Sequence, residues 1–140
     1  TRYWRDWSSD VCSSDLDLER IHFLGRIPHP QLIGLLQASW VHVYLSYPFV
    51  MGWSLLEAMA CGCCVVGSTG MPVEEVIRNG EEGVLVPMTE PQLLAQAVLG
   101  CLADGRRRED FGREARQAAL AWDQKVTLPQ LASLVESPLG

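Results

Sequence analysis

The chain has 140 residues, of which 48% are hydrophobic and 20% charged, and its formal net charge is −6. That is the profile of one soluble globular domain with a core of its own, not of a disordered chain. Its basic residues form no stripe, which argues against nucleic-acid binding, and no apolar run reaches the roughly 18 residues of a membrane span.

Taken in chain order, the first segment stands apart. Asp6-Trp7-Ser8-Ser9-Asp10-Val11-Cys12-Ser13-Ser14-Asp15-Leu16 has neither helical nor strand periodicity and repeats Ser-Ser-Asp. It matches, residue for residue, one reading frame of a common short-read library adapter. Residues 1–16 are therefore expected to be foreign and disordered. The domain is expected to run over 17–140, with natural sequence missing upstream.

From Ile21 onward, short apolar runs alternate with helical stretches. Ile21-His22-Phe23-Leu24 reads as a strand ending at Gly25. A helix follows over 31–38, with Leu32, Leu35 and Leu36 at helical spacing and Pro30 suited to its first turn. The β-branched and aromatic run 41–45 predicts a strand stopped before Pro48. A helix over 53–61 is ended by Gly62, because glycine supplies the left-handed conformation at helix ends. The all-apolar run 63–67 predicts a central parallel strand buried on both faces. A short helix over 73–78 leads to a last strand over 83–86. Only helices follow, over about 90–103, 106–121 and 124–135. Strand–helix alternation means parallel βαβ units. The expected class is α/β, a Rossmann-like parallel sheet with flanking helices and a helical C-terminal tail.

The five cysteines (Cys12, Cys61, Cys63, Cys64 and Cys101) form no disulfide framework, and no His or second Cys pair lies at zinc-ligand spacing from Cys61 to Cys64. Reduced thiols and no metal are expected, with a cytoplasmic location. Arg106, Arg107 and Arg108, followed by Glu109 and Asp110, read as a solvated helix start. Trp40 and Trp122 read as core. His42, alternating with Val41 and Val43, reads as a hydrogen-bonded strand residue, and no Ser, Cys or carboxylate is spaced to form a triad with any of the three histidines.

In an open parallel sheet, ligands bind beyond the carboxyl ends of the strands. The richest such junction runs from Ser46 to Glu57, where a strand ends, a loop with Pro48 and Gly52 follows, and a helix begins. The first amides of that helix lack internal partners and suit a diphosphate. Glu57 lies about one turn into the helix among Leu55, Leu56, Ala58, Met59 and Ala60. Two roles are open to it: an acceptor for two ribose hydroxyls, or an exposed helical glutamate. Trp53 is open between cleft wall and core.

Gly52-Trp53-Ser54-Leu55-Leu56-Glu57-Ala58-Met59-Ala60-Cys61-Gly62, followed by Val65-Val66, resembles the signature segment of family 4 glycosyltransferases. Phe23-Leu24-Gly25, Gly67-Ser68-Thr69-Gly70-Met71-Pro72 with Glu75-Val76-Ile77, and Asn79-Gly80-Glu81-Glu82-Gly83 match in the same order. The resemblance covers about 20–135. It implies the carboxy-terminal, nucleotide-sugar-binding half of a two-domain retaining enzyme that needs no divalent metal and no separate cofactor. The amino-terminal acceptor domain would be missing, and this chain alone inactive.

By the same resemblance Glu57 would bind the ribose. Amides around Gly52, Trp53 and Ser54 would meet the diphosphate, with the Ser54 hydroxyl as an extra donor. Arg26 and Ile27 would lie where the base rests, although the Arg26 side chain also reads as plain surface. The family often carries a glutamate eight positions before the second one, contacting the sugar. Phe49 stands there instead, so the amides of Val50 and Met51 are left to approach the sugar, with Phe49 as a contact or a pocket wall. Peripheral membrane association of the parent protein is compatible with this family. Two other classes remain open on the sequence alone, a non-catalytic nucleotide-binding or assembly module and a nucleotide-sugar epimerase of related fold.

Overall fold

A computed structural model of the chain describes residues 18–46 and 50–136, without the side chains of residue 18 and of 134–136. The adapter-like segment and Phe49 lie outside the described residues.

Among the described residues three short strands, β1 (Val41–Tyr44), β2 (Cys64–Ser68) and β3 (Gly83–Val86), form a parallel sheet in the order β1-β2-β3. The register sets Val41 against Cys64 and Tyr44 against Gly67 on one side, and Val65 against Gly83 and Ser68 against Val86 on the other. The helices are α1 (His29–Ala38), α2 (Trp53–Ala60), α3 (Pro91–Ala103), α4 (Gly105–Ala119) and α5 (Gln124–Glu136).

Every residue of β2 is buried, as its unbroken apolar run requires of a strand covered on both faces. Successive side chains alternate between two cores. Val65 packs with Leu55 and Met59 of α2, Leu85 of β3 and Ala115 of α4. Cys64 and Val66 pack with Val86, with Cys101 of α3 and with Phe111 of α4. Leu55 and Met59 are completely buried, and each such side chain contributes about 1.5–3 kcal/mol of hydrophobic stabilisation. α2 and α3 thus cover opposite faces of one sheet, the α/β Rossmann-like arrangement expected. A third, smaller cluster of Leu36, Ala58 and Cys63 joins α1 to α2.

Backbone details place α2. It ends at Gly62, whose φ of 78° is the left-handed conformation expected there. α4 crosses this turn at Gly112, where an added Cβ would stand 2.2 Å from the Gly62 carbonyl oxygen. Asp104 caps α4 by accepting the Arg107 amide at 3.0 Å. Arg108 is not a freely solvated helix-start residue. Its Nη1 donates to the Cys101 and Leu102 carbonyls at the end of α3, and its guanidinium lies 4.6 Å from the Trp40 ring centre.

Several expectations need correction. Ile21–Leu24 is not a strand, and its Phe23 is 89% exposed. A strand needs a neighbour to share its amides and carbonyls, and among the described residues none lies beside this run. The expected helix over 73–78 is a single 3-10 turn, Val73–Glu75. Trp40 and Trp122 are not core: both are exposed, Trp40 at 64%. Trp40 exchanges burial for a cation–π contact with Arg108, and Trp122 sits in a 3-10 turn between α4 and α5. His42 is not hydrogen-bonded through Nε2, which is buried without a partner. Burial accordingly lowers its pKa, since the charged ring is poorly solvated.

Candidate functional site

The carboxyl end of β1 and the start of α2 are tied together by two hydroxyls. Ser68, fully buried at the end of β2, accepts the Ser46 amide at 3.0 Å and donates to the Ser46 carbonyl at 2.8 Å. Tyr44, the last residue of β1, accepts the Gly52 amide at 2.7 Å. Ser46 and Gly52 are therefore each held by a strand hydroxyl. Gly52 is the N-cap residue of α2, in an extended conformation with φ of −77° and ψ of 143°. A Cβ there would press on the Tyr44 hydroxyl at 3.2 Å, so a glycine lets the two come together.

The sequence places the Gly52, Trp53 and Ser54 amides at a diphosphate, and the structure divides them. The Gly52 amide is occupied by Tyr44. The Leu55 amide turns back to the Gly52 carbonyl at 3.1 Å. The amides of Trp53 and Ser54 have no hydrogen-bond partner among the described residues, so they carry the open, partly positive end of the helix.

Trp53, Leu56, Glu57 and Ala60 recur at helical spacing along one face of α2 and line a groove of about 390 Å³ against the end of α4. Arg116, Leu120 and Trp122 form its other wall. Trp53 is 80% exposed and lines this groove, so it is not part of the core. The Glu57 side chain retains 29% of its exposure, and its Oε1 lies 2.7 Å from Nε2 of His29, the first residue of α1. Its charge is felt nearby: burial raises the Cys61 thiol, and Glu57 raises it further against a smaller opposing effect of Arg116. Glu57 is thus neither a fully solvated glutamate nor a buried one.

The other sequence-derived residues are less tightly gathered. Ser54 is exposed beside Gly52, Val50 is exposed, and Met51 turns inward to pack with Tyr44 on the core. Arg26 is exposed and Ile27 half-buried, in the segment that enters α1 three residues before His29. Phe49 lies outside the described residues. Sequence reasoning missed Tyr44, Ser68 and His29. The hydroxyls of Tyr44 and Ser68 act on backbone far along the chain, and nothing local marks that. His29 was read as one of three scattered histidines; only the packing of α1 on α2 brings it to Glu57.

A second acidic feature proves to be structural. Glu82, almost fully buried, accepts the Arg78 amide at 2.8 Å and the Arg78 side chain through Nε at 2.9 Å and through Nη2. Burial would raise its carboxyl, but the Arg78 bonds outweigh burial and hold it below its ordinary value. With Asn79 Oδ1 accepting the Leu85 amide at 3.0 Å, this closes the turn that feeds β3. Among the described residues no three His, Cys, Asp or Glu side chains gather as a metal site.

A family model described as "Glycosyl transferases group 1" matches residues 12–118. The chain belongs to the group 1 glycosyl transferases. Over 124 residues this group 1 chain is 31% identical to the phosphatidyl-myo-inositol mannosyltransferase of Mycobacterium leprae, covering 86% of the chain and 32% of that protein. Among solved structures, it is similar to sucrose-phosphate synthase from Thermosynechococcus elongatus, with a TM-score of 0.79 and 30% identity, over 84% of this chain and 30% of that one. It is also similar to Anabaena Alr3699/HepE in complex with UDP and glucose, with a TM-score of 0.77 and 26% identity, over 83% and 32% respectively. The group 1 chain therefore spans about a third of the length of these relatives.

Proposed function

We propose that this chain is the nucleotide-sugar-binding part of a retaining family 4 glycosyltransferase, working in the cytoplasm with a second domain upstream that carries the acceptor site. The observation that carries this reading is the start of α2. Two open amides, Trp53 and Ser54, stand at the sheet tip, and a half-exposed carboxylate, Glu57, lines a groove one turn further in. The likeness to a structure solved with UDP and glucose supports it.

In this reading Glu57 accepts the two ribose hydroxyls, and the Trp53 and Ser54 amides, with the Ser54 hydroxyl, hold the diphosphate. The main-chain amides of Val50 and Met51 approach the sugar, with Phe49 beside them, and the segment Arg26–Ile27 receives the base. During transfer the bond from the anomeric carbon to the diphosphate breaks and a bond to an acceptor oxygen forms on the same face. The acceptor proton goes to the departing diphosphate or to solvent. The step is eased by stabilising the departing anion. Amides do part of this here, and basic side chains of the upstream sequence do the rest, so no divalent metal is required. This chain alone is then a binding unit that does not turn over. Its natural acceptor is a glycan or a lipid-linked glycan, which is compatible with peripheral association of the whole protein with a membrane.

Titrating the chain with UDP and GDP, and then with their sugar conjugates, tests the reading. Glu57→Ala is expected to weaken the tighter nucleotide by about tenfold to a hundredfold, since hydrogen bonds to a charged group contribute about 1.5–3 kcal/mol. An unchanged affinity would remove Glu57 from the site and favour a module without a ribose-binding acid.

A further inference from the structure

Among the described residues, the side chain that hydrogen-bonds Glu57 from another element is His29. We propose that His29 is the positioning residue of Glu57, fixing its carboxylate so that the remaining oxygen sites face a ribose diol. This rests on the reading of Glu57 as the ribose-binding acid and adds a second residue to it.

The geometry is specific. Nε2 of His29 and Oε1 of Glu57 are 2.7 Å apart, across 28 residues of sequence. Neither side chain is held there by being enclosed, for His29 is 65% exposed. Their approach is set instead by the packing of α1 on α2, through Leu36, Ala58 and Cys63 with Leu32 and Cys61 around them. Cys63 Sγ also donates to the Leu36 carbonyl at 3.0 Å. The two backbones are thus joined by a buried contact that a bound ligand need not disturb.

An ionised carboxylate offers about four acceptor sites on its two oxygens. The imidazole takes one on Oε1 and leaves both sites of Oε2 and the second site of Oε1. That is enough for two adjacent hydroxyls. Facing a carboxylate, the imidazole carries its proton on Nε2 in the neutral as well as the charged form, because the other tautomer would set lone pair against lone pair. A glutamate with three free torsions loses rotamer freedom when it binds a ligand. One already held by a histidine has lost part of it beforehand, and binding is tighter by the corresponding amount.

The test compares UDP with 2′,3′-dideoxyuridine diphosphate by calorimetry or NMR titration of the 140-residue chain, using the ratio of the two affinities as the measure of diol recognition. Glu57→Ala is expected to bring that ratio to about one. His29→Ala is expected to lower UDP affinity by about three- to tenfold and to leave the dideoxy nucleotide unchanged. His29→Gln, whose amide donates from a similar reach, is expected to recover part of the loss, which a merely structural role would not predict. If His29→Ala keeps the wild-type ratio while Glu57→Ala abolishes it, the inference fails and the donor site stands. If His29→Ala binds UDP more tightly, His29 is a competitor of ribose and the inference fails in the opposite sense. If Glu57→Ala changes nothing, the donor-site reading falls and takes the inference with it. A ligand-free measurement stands beside these: the imidazole nitrogen shifts of His29 are expected to show the Nε2–H form in the wild type and a mixture of tautomers in Glu57→Ala. A mixture already present in the wild type would overturn the contact itself.

Discussion

Replacing Gly112 by alanine is expected to destabilise the protein, although alanine is the better helix former. In an open helix interior the exchange favours folding by about 1 kcal/mol. Here the new Cβ would lie 2.2 Å from the Gly62 oxygen and 3.1 Å from the Gly62 carbonyl carbon, more than an ångström inside ordinary contact. Nor can the turn give way easily. The Gly62 amide is bonded to the Met59 carbonyl at 2.9 Å and the Cys63 amide to the Ala58 carbonyl at 3.0 Å. Overpacking against fixed backbone costs about 1–3 kcal/mol, and occasionally more. With backbone only 2.2 Å away the upper part of that range applies, about 2–3 kcal/mol, and subtracting the helix gain leaves a net loss of about 1–2 kcal/mol, or a fall of a few degrees in Tm. The internal control is Gly100→Ala in α3, where nothing stands within 4 Å of the added carbon and a gain of about 0.5–1 kcal/mol is expected. Urea unfolding of both variants beside the wild type decides the matter. A Gly112→Ala protein as stable as the wild type would mean that α4 does not cross the end of α2 in this way.

Three shorter expectations concern other parts of the fold. Removing the Tyr44 hydroxyl by Tyr44→Phe leaves the Gly52 amide without its bond, costing about 1 kcal/mol and weakening nucleotide binding; equal stability and affinity in urea melts and titrations would detach Tyr44 from the site. Glu82→Gln should lower stability at neutral pH. The folded carboxyl lies below its ordinary value of 4.5, so its contribution is present above that pH and disappears as pH falls through the lower folded value; a stability difference between the two proteins that grows on acidification would contradict the Arg78 clamp. Finally, burial pushes the Cys63 thiol up to about 11, and burial with the Cys101 contact pushes Cys64 up to about 12. Iodoacetamide at pH 8 is expected to spare both in the native protein and to label both in urea, read by mass spectrometry; rapid native labelling would show that the clusters around Cys63 and Cys64 are open.

What could be read before folding was whatever depends on neighbours in sequence. β3 spans 83–86 as expected, the central strand expected over 63–67 is found one residue later at 64–68 and buried throughout, and Gly62 closes α2. These follow from local period and from a glycine's freedom in φ. The errors share the opposite origin. Ile21–Leu24 has the composition of a strand but no strand beside it among the described residues. Trp40 is apolar in kind, yet its surroundings offer a guanidinium and not a pocket. His42 alternates correctly, but only the completed sheet shows that its Nε2 finds nothing to bond. The site divides along the same line. The helix start and Glu57 are visible in a dozen consecutive residues. The bond from His29, the Tyr44 hydroxyl on Gly52 and the Ser68 clamp each join positions far apart in the chain, and no spacing rule reaches them.

The Ser68 and Tyr44 hydroxyls also fix the frame of the junction. Ser46 is fastened to one strand tip and Gly52 to another, so the start of α2 takes its footing from side chains that belong to the strands and not from the helix itself. A substitution at either hydroxyl would therefore be felt at the helix start, while the outer face of the helix could vary with its anchorage kept.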